Sequence, residues 1–236
     1  MEKKYPQIAH CIHNTADIVN LIRRSPTMKT MELEARLGSY DTATNSFKAG
    51  ISRQKMDDII QSMHESSFIT GDAEWSEEQD FFYKHQGRNL RTRVQFDSNN
   101  MEIISTTIEK KNIRHLDCIT SYGDNDIRIS LKNELPVTQS NIPTAVNPDF
   151  VRIKQRKRFR SENSKWAFDF TMSWSGRNKD EAELSQQTNE PLFELECELV
   201  DNTIFNEKTD EYIATSLLLK MMDFLPLKTV ITKCVE

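Results

Sequence analysis

The stretch Phe193-Glu194-Leu195-Glu196-Cys197-Glu198-Leu199 alternates three glutamates strictly with apolar residues. Successive side chains of a strand point to opposite faces, so a strand here carries all three carboxylates on one face and Phe193, Leu195, Cys197 and Leu199 on the other. Wound as a helix, the same residues leave no apolar stripe to bury. A shorter copy stands near the start of the chain, Met31-Glu32-Leu33-Glu34-Ala35-Arg36-Leu37. Propensity favours a helix there, whereas the alternation predicts a strand; we follow the alternation.

Upstream of that copy, residues 8–24 place Ile8, Ile12, Val19 and Ile22 at helical spacing, and Ser25-Pro26 marks a stop. His10 and His13 lie three apart on this helix but have no acidic or thiolate companion to complete a metal site. A strand over 28–37 and Gly38 precede a second helix over 51–64, with Ser52 as its candidate cap. From 67 to 160 short alternating runs are separated by turn residues, the pattern of an antiparallel sheet or barrel.

Within that region His85-Gln86-Gly87-Arg88-Asn89 reads as a hairpin loop joining 79–84 to 90–97, and Arg91, Arg93 and Gln95 share one face of the second strand. Strands over 101–114 and 126–135 follow, the latter setting Arg128, Ser130, Lys132 and Glu134 opposite Ile127, Ile129 and Leu131. Residues 136–149, with Pro136, Pro143 and Pro148, read as a loop. Next, Arg152, Lys154, Arg156 and Arg158 fall on one face of a strand, and Asp169 and Thr171 oppose Trp166, Phe168 and Phe170. Residues 176–190 are expected to form a solvated connection containing a short helix capped by Asn178. A last helix over 209–224 buries Ile213, Leu217, Leu218 and Met221.

At 236 residues and 37% hydrophobic content the chain suits one substantial domain, spanning 1–236. A net charge of −5 gives no global basic signature, so a polyanionic partner must be drawn by a local cluster. No run of about 18 apolar residues occurs, and Met1-Glu2-Lys3-Lys4 leads into no apolar segment, so a soluble, intracellular protein is expected. Cys11, Cys118, Cys197 and Cys234 are widely spaced without a Cys-x-x-Cys pair, from which reduced thiols and no zinc or redox site are expected.

The polar faces are sorted by strand. Two strands offer Glu32 and Glu34, and Glu194, Glu196 and Glu198; two others offer Arg91 and Arg93, and Arg152 to Arg158. The opposite faces are strongly apolar and need cover, which the amphipathic helices can supply. This predicts an inverted barrel of about eight strands, polar within and apolar outside, with helices packed on its exterior. The rival arrangement is a plain sheet whose charged faces are solvated and whose cross-strand pairs contribute little. Clustered carboxylates repel unless protonated or matched, and a hard divalent cation such as Mg²⁺ or Mn²⁺ would relieve them. The basic face would then meet an anion of several charges, such as a phosphate chain.

Glu32-Leu-Glu34-Ala-Arg36-Leu-Gly38 and Glu194-Leu-Glu196-Cys-Glu198, with Arg152-x-Lys154-x-Arg156 and Asp169-x-Thr171 between them, occur in an order that resembles the metal-dependent RNA 5′-triphosphatases of fungal and viral mRNA capping. These are triphosphate tunnel metalloenzymes, and the likeness, over about 28–200, is greatest to the amino-terminal triphosphatase domains of giant-virus (mimivirus-type) capping enzymes. The resemblance implies an eight-stranded tunnel that removes the γ-phosphate of triphosphate-ended RNA, the first step of capping. It implies Mg²⁺ or Mn²⁺ on Glu32, Glu34 and Glu198, and a catalytic set of Glu196, which orients or activates water, with Glu194, Lys154 and Arg156. Phosphate oxygens would meet Arg91, Arg93, Lys110, Lys154, Arg156 and Arg158, while Glu134 and Asp169 would orient the cations, with Arg128 among the residues supporting the site. Two features depart from strict expectation. Ala167 stands where the family often has a basic residue, a gap Arg158 could fill. Lys110 reaches the interior only if Ile108 shares its face or a bulge intervenes.

Relatives of the same fold that act on inorganic polyphosphate, on NTP or on tripolyphosphate are the alternative enzymes, and a non-catalytic module binding polyphosphate or nucleic acid is the alternative of another class. No aromatic residue interrupts the basic strand face to stack bases, which weighs against that module. No Lys-x-Asp-Gly occurs, so guanylyltransferase and methyltransferase steps would fall to the rest of a longer parent chain or to a partner. The resemblance also implies action inside a cell, or in a virion or host cytoplasm if the chain is viral.

Overall fold

The computed structural model describes residues 6–66, 69–70, 74–96, 101–121, 125–138, 147–226 and 229–235. Helix α1 (Pro6–Arg24) and a 3₁₀ turn (Met28–Thr30) lead into β1 (Met31–Asp41), which a hairpin joins to β2 (Ser46–Ala49). After α2 (Arg53–Glu65) and the short β3 (Ile69–Thr70) come β4 (Trp75–His85), β5 (Arg88–Phe96), β6 (Glu102–Thr120) and β7 (Asp126–Pro136). Then follow β8 (Phe150–Ser161), β9 (Trp166–Gly176), α3 (Lys179–Thr188) and β10 (Leu192–Leu199). The chain continues through α4 (Ile204–Glu207), α5 (Asp210–Met222) and β11 (Ile231–Val235).

Eight of these strands run in the order β10-β9-β8-β4-β5-β6-β7-β1, and β1 pairs back onto β10 with Glu34 opposite Glu198 and Arg36 opposite Glu196. The sheet therefore closes into an antiparallel barrel with no free edge among these eight. β2, β3 and β11 extend single staves on its outside, pairing with β1, β8 and β6.

The apolar faces point outward. Leu33, Ala35 and Leu37 of β1 continue into Ile127, Ile129 and Leu131 of β7 and Leu195 and Cys197 of β10, all nearly free of solvent. Ile18 and Ile22 of α1, Met56 of α2, and Leu217 and Met221 of α5 cover this wall in one continuous core. Each such side chain contributes roughly 1.5–3 kcal/mol by leaving water. Side-chain oxygens cap three of the helices: Ser52, Asn178 and Thr209 accept from the backbone N–H of Lys55, Glu181 and Tyr212 at 3.2, 2.9 and 3.2 Å.

Several expectations change. The first strand starts at Met31 rather than 28 and runs past Gly38 to Asp41. Gly38 is necessary there, because a Cβ would meet the Phe47 ring at 2.7 Å where the hairpin folds back. The strand expected over 101–114 reaches Thr120; a bulge between Asn112 and Arg114 shifts the alternation by one residue and hides the second half from a period-2 pattern. The proline loop is shorter than 136–149, with Pro136 in β7 and Phe150 in β8; Pro143 lies outside the described residues.

Helix α3 is not simply solvated: Ala182 is fully buried against Val151 and Ile153, a second small core under the outer face of β8. Cys11 and Cys234, 223 residues apart, form a disulfide with Cα atoms 6.2 Å apart, tying α1 to β11. Cys118 faces Cys234 across the β6–β11 ladder, and the three sulfurs lie within 4.8 Å of one another. This corrects the expectation of reduced thiols for Cys11 and Cys234, whereas Cys118 and Cys197 are free, and it removes the cysteine argument for a reducing compartment. Among the described residues no helix is long and apolar enough to cross a membrane.

Candidate active site

The barrel encloses a polar cavity of about 380 Å³ into which eight carboxylates and eight Lys or Arg side chains project. Its lining is the sorted set of strand faces: Glu32 and Glu34 from β1, Glu194, Glu196 and Glu198 from β10, and Arg152, Lys154, Arg156 and Arg158 from β8. Arg91 and Arg93 of β5, Lys110 of β6, Glu134 of β7 and Asp169 of β9 complete the expected group. Alternation thus brings residues from seven strands to one space because a closed barrel has a single inner face.

On the acidic wall each carboxylate is met by a cation. Lys110 Nζ donates to Glu32 at 2.9 Å and to Glu134 at 2.6 Å, and Lys132 is ion-paired with Glu34. Arg36 lies between Glu34, at 2.9 Å, and Glu196. Arg158 donates to Asp169 at 2.7 Å and to Glu198 at 2.7 Å. Burial opposes ionisation of Glu196, but Arg36, Lys132, Arg156 and Lys154 outweigh it and hold that carboxyl well below the usual range. Glu198 behaves in the opposite way: burial, together with the facing carboxylates Glu32, Asp169 and Glu196, pushes it up to about 7 against the pull of Arg158.

The donor chemistry here fits a hard divalent cation. Glu32, Glu34 and Glu198 offer only carboxylate oxygens, and Glu198 sits where negative charge is in excess. Among the described residues the three groups whose ligand atoms already converge within 4.8 Å are the cysteines, not these glutamates. The glutamates are instead turned toward Lys110, Lys132, Arg36 and Arg158, ammonium and guanidinium groups that a cation of higher charge would have to replace.

The basic wall is built around two acidic residues that the alternation pattern missed, Glu78 and Asp80 of β4. Asp80 is fully buried; it is ion-paired with Lys154 and accepts from Arg93 Nε at 2.8 Å. Burial works against its charge, but Lys154 and Arg93 hold it well below the usual range. Glu78 lies 3.2 Å from Arg93 and 3.6 Å from Arg156. The strand was expected from 79 onward, which left Glu78 outside, and the doublets Glu77-Glu78 and Phe81-Phe82 blur the period; the Glu78/Asp80 spacing of two was the available signal. The buried Nε atoms of Arg91, Arg152 and Arg156 find no hydrogen-bond acceptor among the described residues. Orphaned donors of this kind are costly; the same three side chains line the cavity, where their guanidinium groups suit an oxygen-rich anion.

Lys110 enters the cavity on strict alternation. Ile108 does share its face, opposite Arg91, and the bulge lies beyond both. Arg158 reaches Asp169 and Glu198, beside the gap left by Ala167, which is opposite Glu198 on β9. Arg128 is placed differently from expectation. It lines a second chamber further along the tunnel and is held by Asp117 through two bonds of 2.7 Å, away from the site it was expected to support.

A closed eight-stranded barrel with helices outside and matched carboxylate and guanidinium walls inside is a tunnel-type triphosphatase scaffold. The chain belongs to the family described as mRNA capping enzyme, beta chain, whose sequence pattern matches residues 39–217. Its fold is similar to that of the S. pombe Pct1 RNA triphosphatase, at 17% identity and a TM-score of 0.65 over 91% of this chain and 89% of that one. It is also similar to the RNA triphosphatase domain of a trifunctional mimivirus mRNA capping enzyme, at 15% identity and a TM-score of 0.58 over 90% and 96%. A comparison with curated protein sequences returns no match.

Proposed function

We propose that this tunnel hydrolyses the γ-phosphate of triphosphate-ended RNA, the step that prepares a transcript for capping. Family membership supports the reaction class, and the single observation that carries it to this cavity is the wall of Arg91, Arg152, Lys154 and Arg156 side chains facing a wall of glutamates. Phosphoryl transfer asks a protein mainly to position groups and to stabilise charge. Arg91, Arg152 and Arg156, which line the cavity, would bind phosphate oxygens, with Lys154 set beside them by Asp80. Lys110, Arg93 and Arg158 add charge around the β- and γ-phosphates.

Glu196, kept ionised by four cations, is a weak proton acceptor, so its part is to accept a hydrogen bond from the attacking water and aim it along the line of the leaving β-phosphate. Glu194, which accepts weakly from Ser173 at 3.4 Å and lies near Arg36 and Arg152, positions those guanidinium groups. A divalent cation on Glu32, Glu34 and Glu198 would neutralise phosphate charge and polarise the γ-phosphoryl group. All-oxygen ligation suits Mg²⁺ or Mn²⁺. The mimivirus relative is described as trifunctional, which supports guanylyl and methyl transfer being supplied by further domains or partners here as well. With that substrate, the proposed site of action is inside a cell or a virion.

Incubating the protein with triphosphate-ended RNA is expected to release inorganic phosphate with added Mg²⁺ or Mn²⁺, and none in chelator; release in chelator would overturn this function. Rates on tripolyphosphate and ATP measured alongside rank the alternative substrates. Because Glu198 titrates near 7, protons compete with the cation below that value. The apparent affinity for Mn²⁺, measured by calorimetry, is expected to fall by up to about tenfold per pH unit as pH drops from 7 to 5. Glu198→Gln is expected to weaken binding and flatten that slope, and a wild-type profile already flat over this range contradicts the assignment of Glu198 as a ligand.

A further inference from the structure

The tunnel is electrically asymmetric along its length. In the central cavity cations and carboxylates are balanced at eight each. At the mouth beside Glu32 and Glu198, Lys29, Arg158 and Arg160 face Glu32, Glu134 and Glu198, again in balance. At the opposite mouth, beyond Arg36, a chamber is lined by Arg114, Arg128 and Lys132 together with five cations it shares with the central cavity, and by only Glu34 and Asp80 as carboxylates; Asp117 behind Arg128 adds one more. This mouth also carries aromatic rings that the sequence pattern did not place on the basic face. Phe82 and Phe150 pair across β4 and β8 with centroids 5.7 Å apart, and the Arg152 guanidinium is 5.9 Å from each ring. Across the opening Phe47 of β2, folded over Gly38, lies under Arg128 at 4.7 Å.

We propose that the mouth framed by Phe47, Phe82, Phe150, Arg114, Arg128 and Arg152 is the docking site for the first nucleotides of the RNA, so that the triphosphate threads the tunnel from the Gly38 end of β1 toward Glu32. This rests on the proposed function and adds a direction to it. A long polyanion is drawn to the end where cations outnumber carboxylates and finds no such surplus at the other. Half-buried rings beside guanidinium groups are a stacking platform that accepts any base and has no use for inorganic phosphate. Once the chain docks there, the terminal phosphate is the one delivered to the glutamate wall, and the charge-balanced mouth beside Glu32 is left as an exit for the released phosphate.

The test uses the full chain and a triphosphate-ended RNA oligonucleotide with a photoreactive base at its second position. Crosslinks are expected on peptides containing Phe47, or Phe82 and Phe150; crosslinks on peptides containing Lys29 or Arg160 would reverse the direction and overturn the proposal. As a second measurement, Phe82→Ala and Phe47→Ala are expected to lower kcat/KM on RNA about tenfold more than on tripolyphosphate. Arg160→Ala, at the far mouth, is expected to keep the wild-type ratio of the two substrates. Equal losses on both substrates in the phenylalanine variants would also overturn it. The two levels separate cleanly: a wild type that releases no phosphate from RNA removes the function itself, whereas normal release with crosslinks at the far mouth removes only the direction.

Discussion

Glu32→Ala is expected to lower phosphate release from triphosphate-ended RNA by at least about 10²-fold, the scale of losing one preorganised electrostatic contact in an active site. Glu32 has no role in the apolar core: it stands on the inner face of β1, bound at 2.9 Å by Lys110, with Leu33 beside it facing the opposite way into the helices. The variant should therefore fold. It should also bind Mn²⁺ less tightly, and Lys110, freed from one partner, should turn wholly to Glu134. Steady-state rates together with a calorimetric Mn²⁺ titration check this. Unimpaired turnover at saturating metal would remove Glu32 from the metal site.

Asp80→Ala is expected to act on stability as well as on rate. Asp80 has no solvent exposure and is the acceptor for both Lys154 and Arg93. Removing one member of a buried ion cluster leaves the others uncompensated, at a cost of about 3–5 kcal/mol. For a domain of this size that corresponds to a fall in Tm of roughly 6–20 °C. The same change frees Lys154 from its fixed place, so kcat/KM should fall about tenfold or more even below the transition. Asp80 thus acts as a positioning residue, and Asp80→Glu should restore part of the rate by keeping the charge. A loss under about 1 kcal/mol by urea unfolding would show that the cations need no such partner.

Glu194, Glu196 and Glu198 were legible as one inward face from spacing alone, and so were Arg152 to Arg158, because the period of a strand is two and a closed barrel has one interior. The covering helices were legible from their own apolar stripes, with Ser52 and Asn178 recognisable as caps. What escaped did so where the period failed. The bulge at Asn112 hid the second half of β6, and paired Glu and Phe doublets hid Glu78 and Asp80 on β4. The disulfide between Cys11 and Cys234 escaped for another reason: proximity over 223 residues is a property of the closed fold.

For the triple-glutamate strand the sequence alone determined that three carboxylates share a face and that the reverse face must be covered. Only the tertiary structure decided what each of them does. Glu196 is held ionised because register puts it opposite Arg36, while Glu198, two residues on, is driven up to about 7 because burial and the same closure set it beside Glu32, Asp169 and Glu196. Residues identical in type and face differ in charge because an electrostatic environment is made by neighbours from other strands, and strand pairing across the whole chain chooses those neighbours.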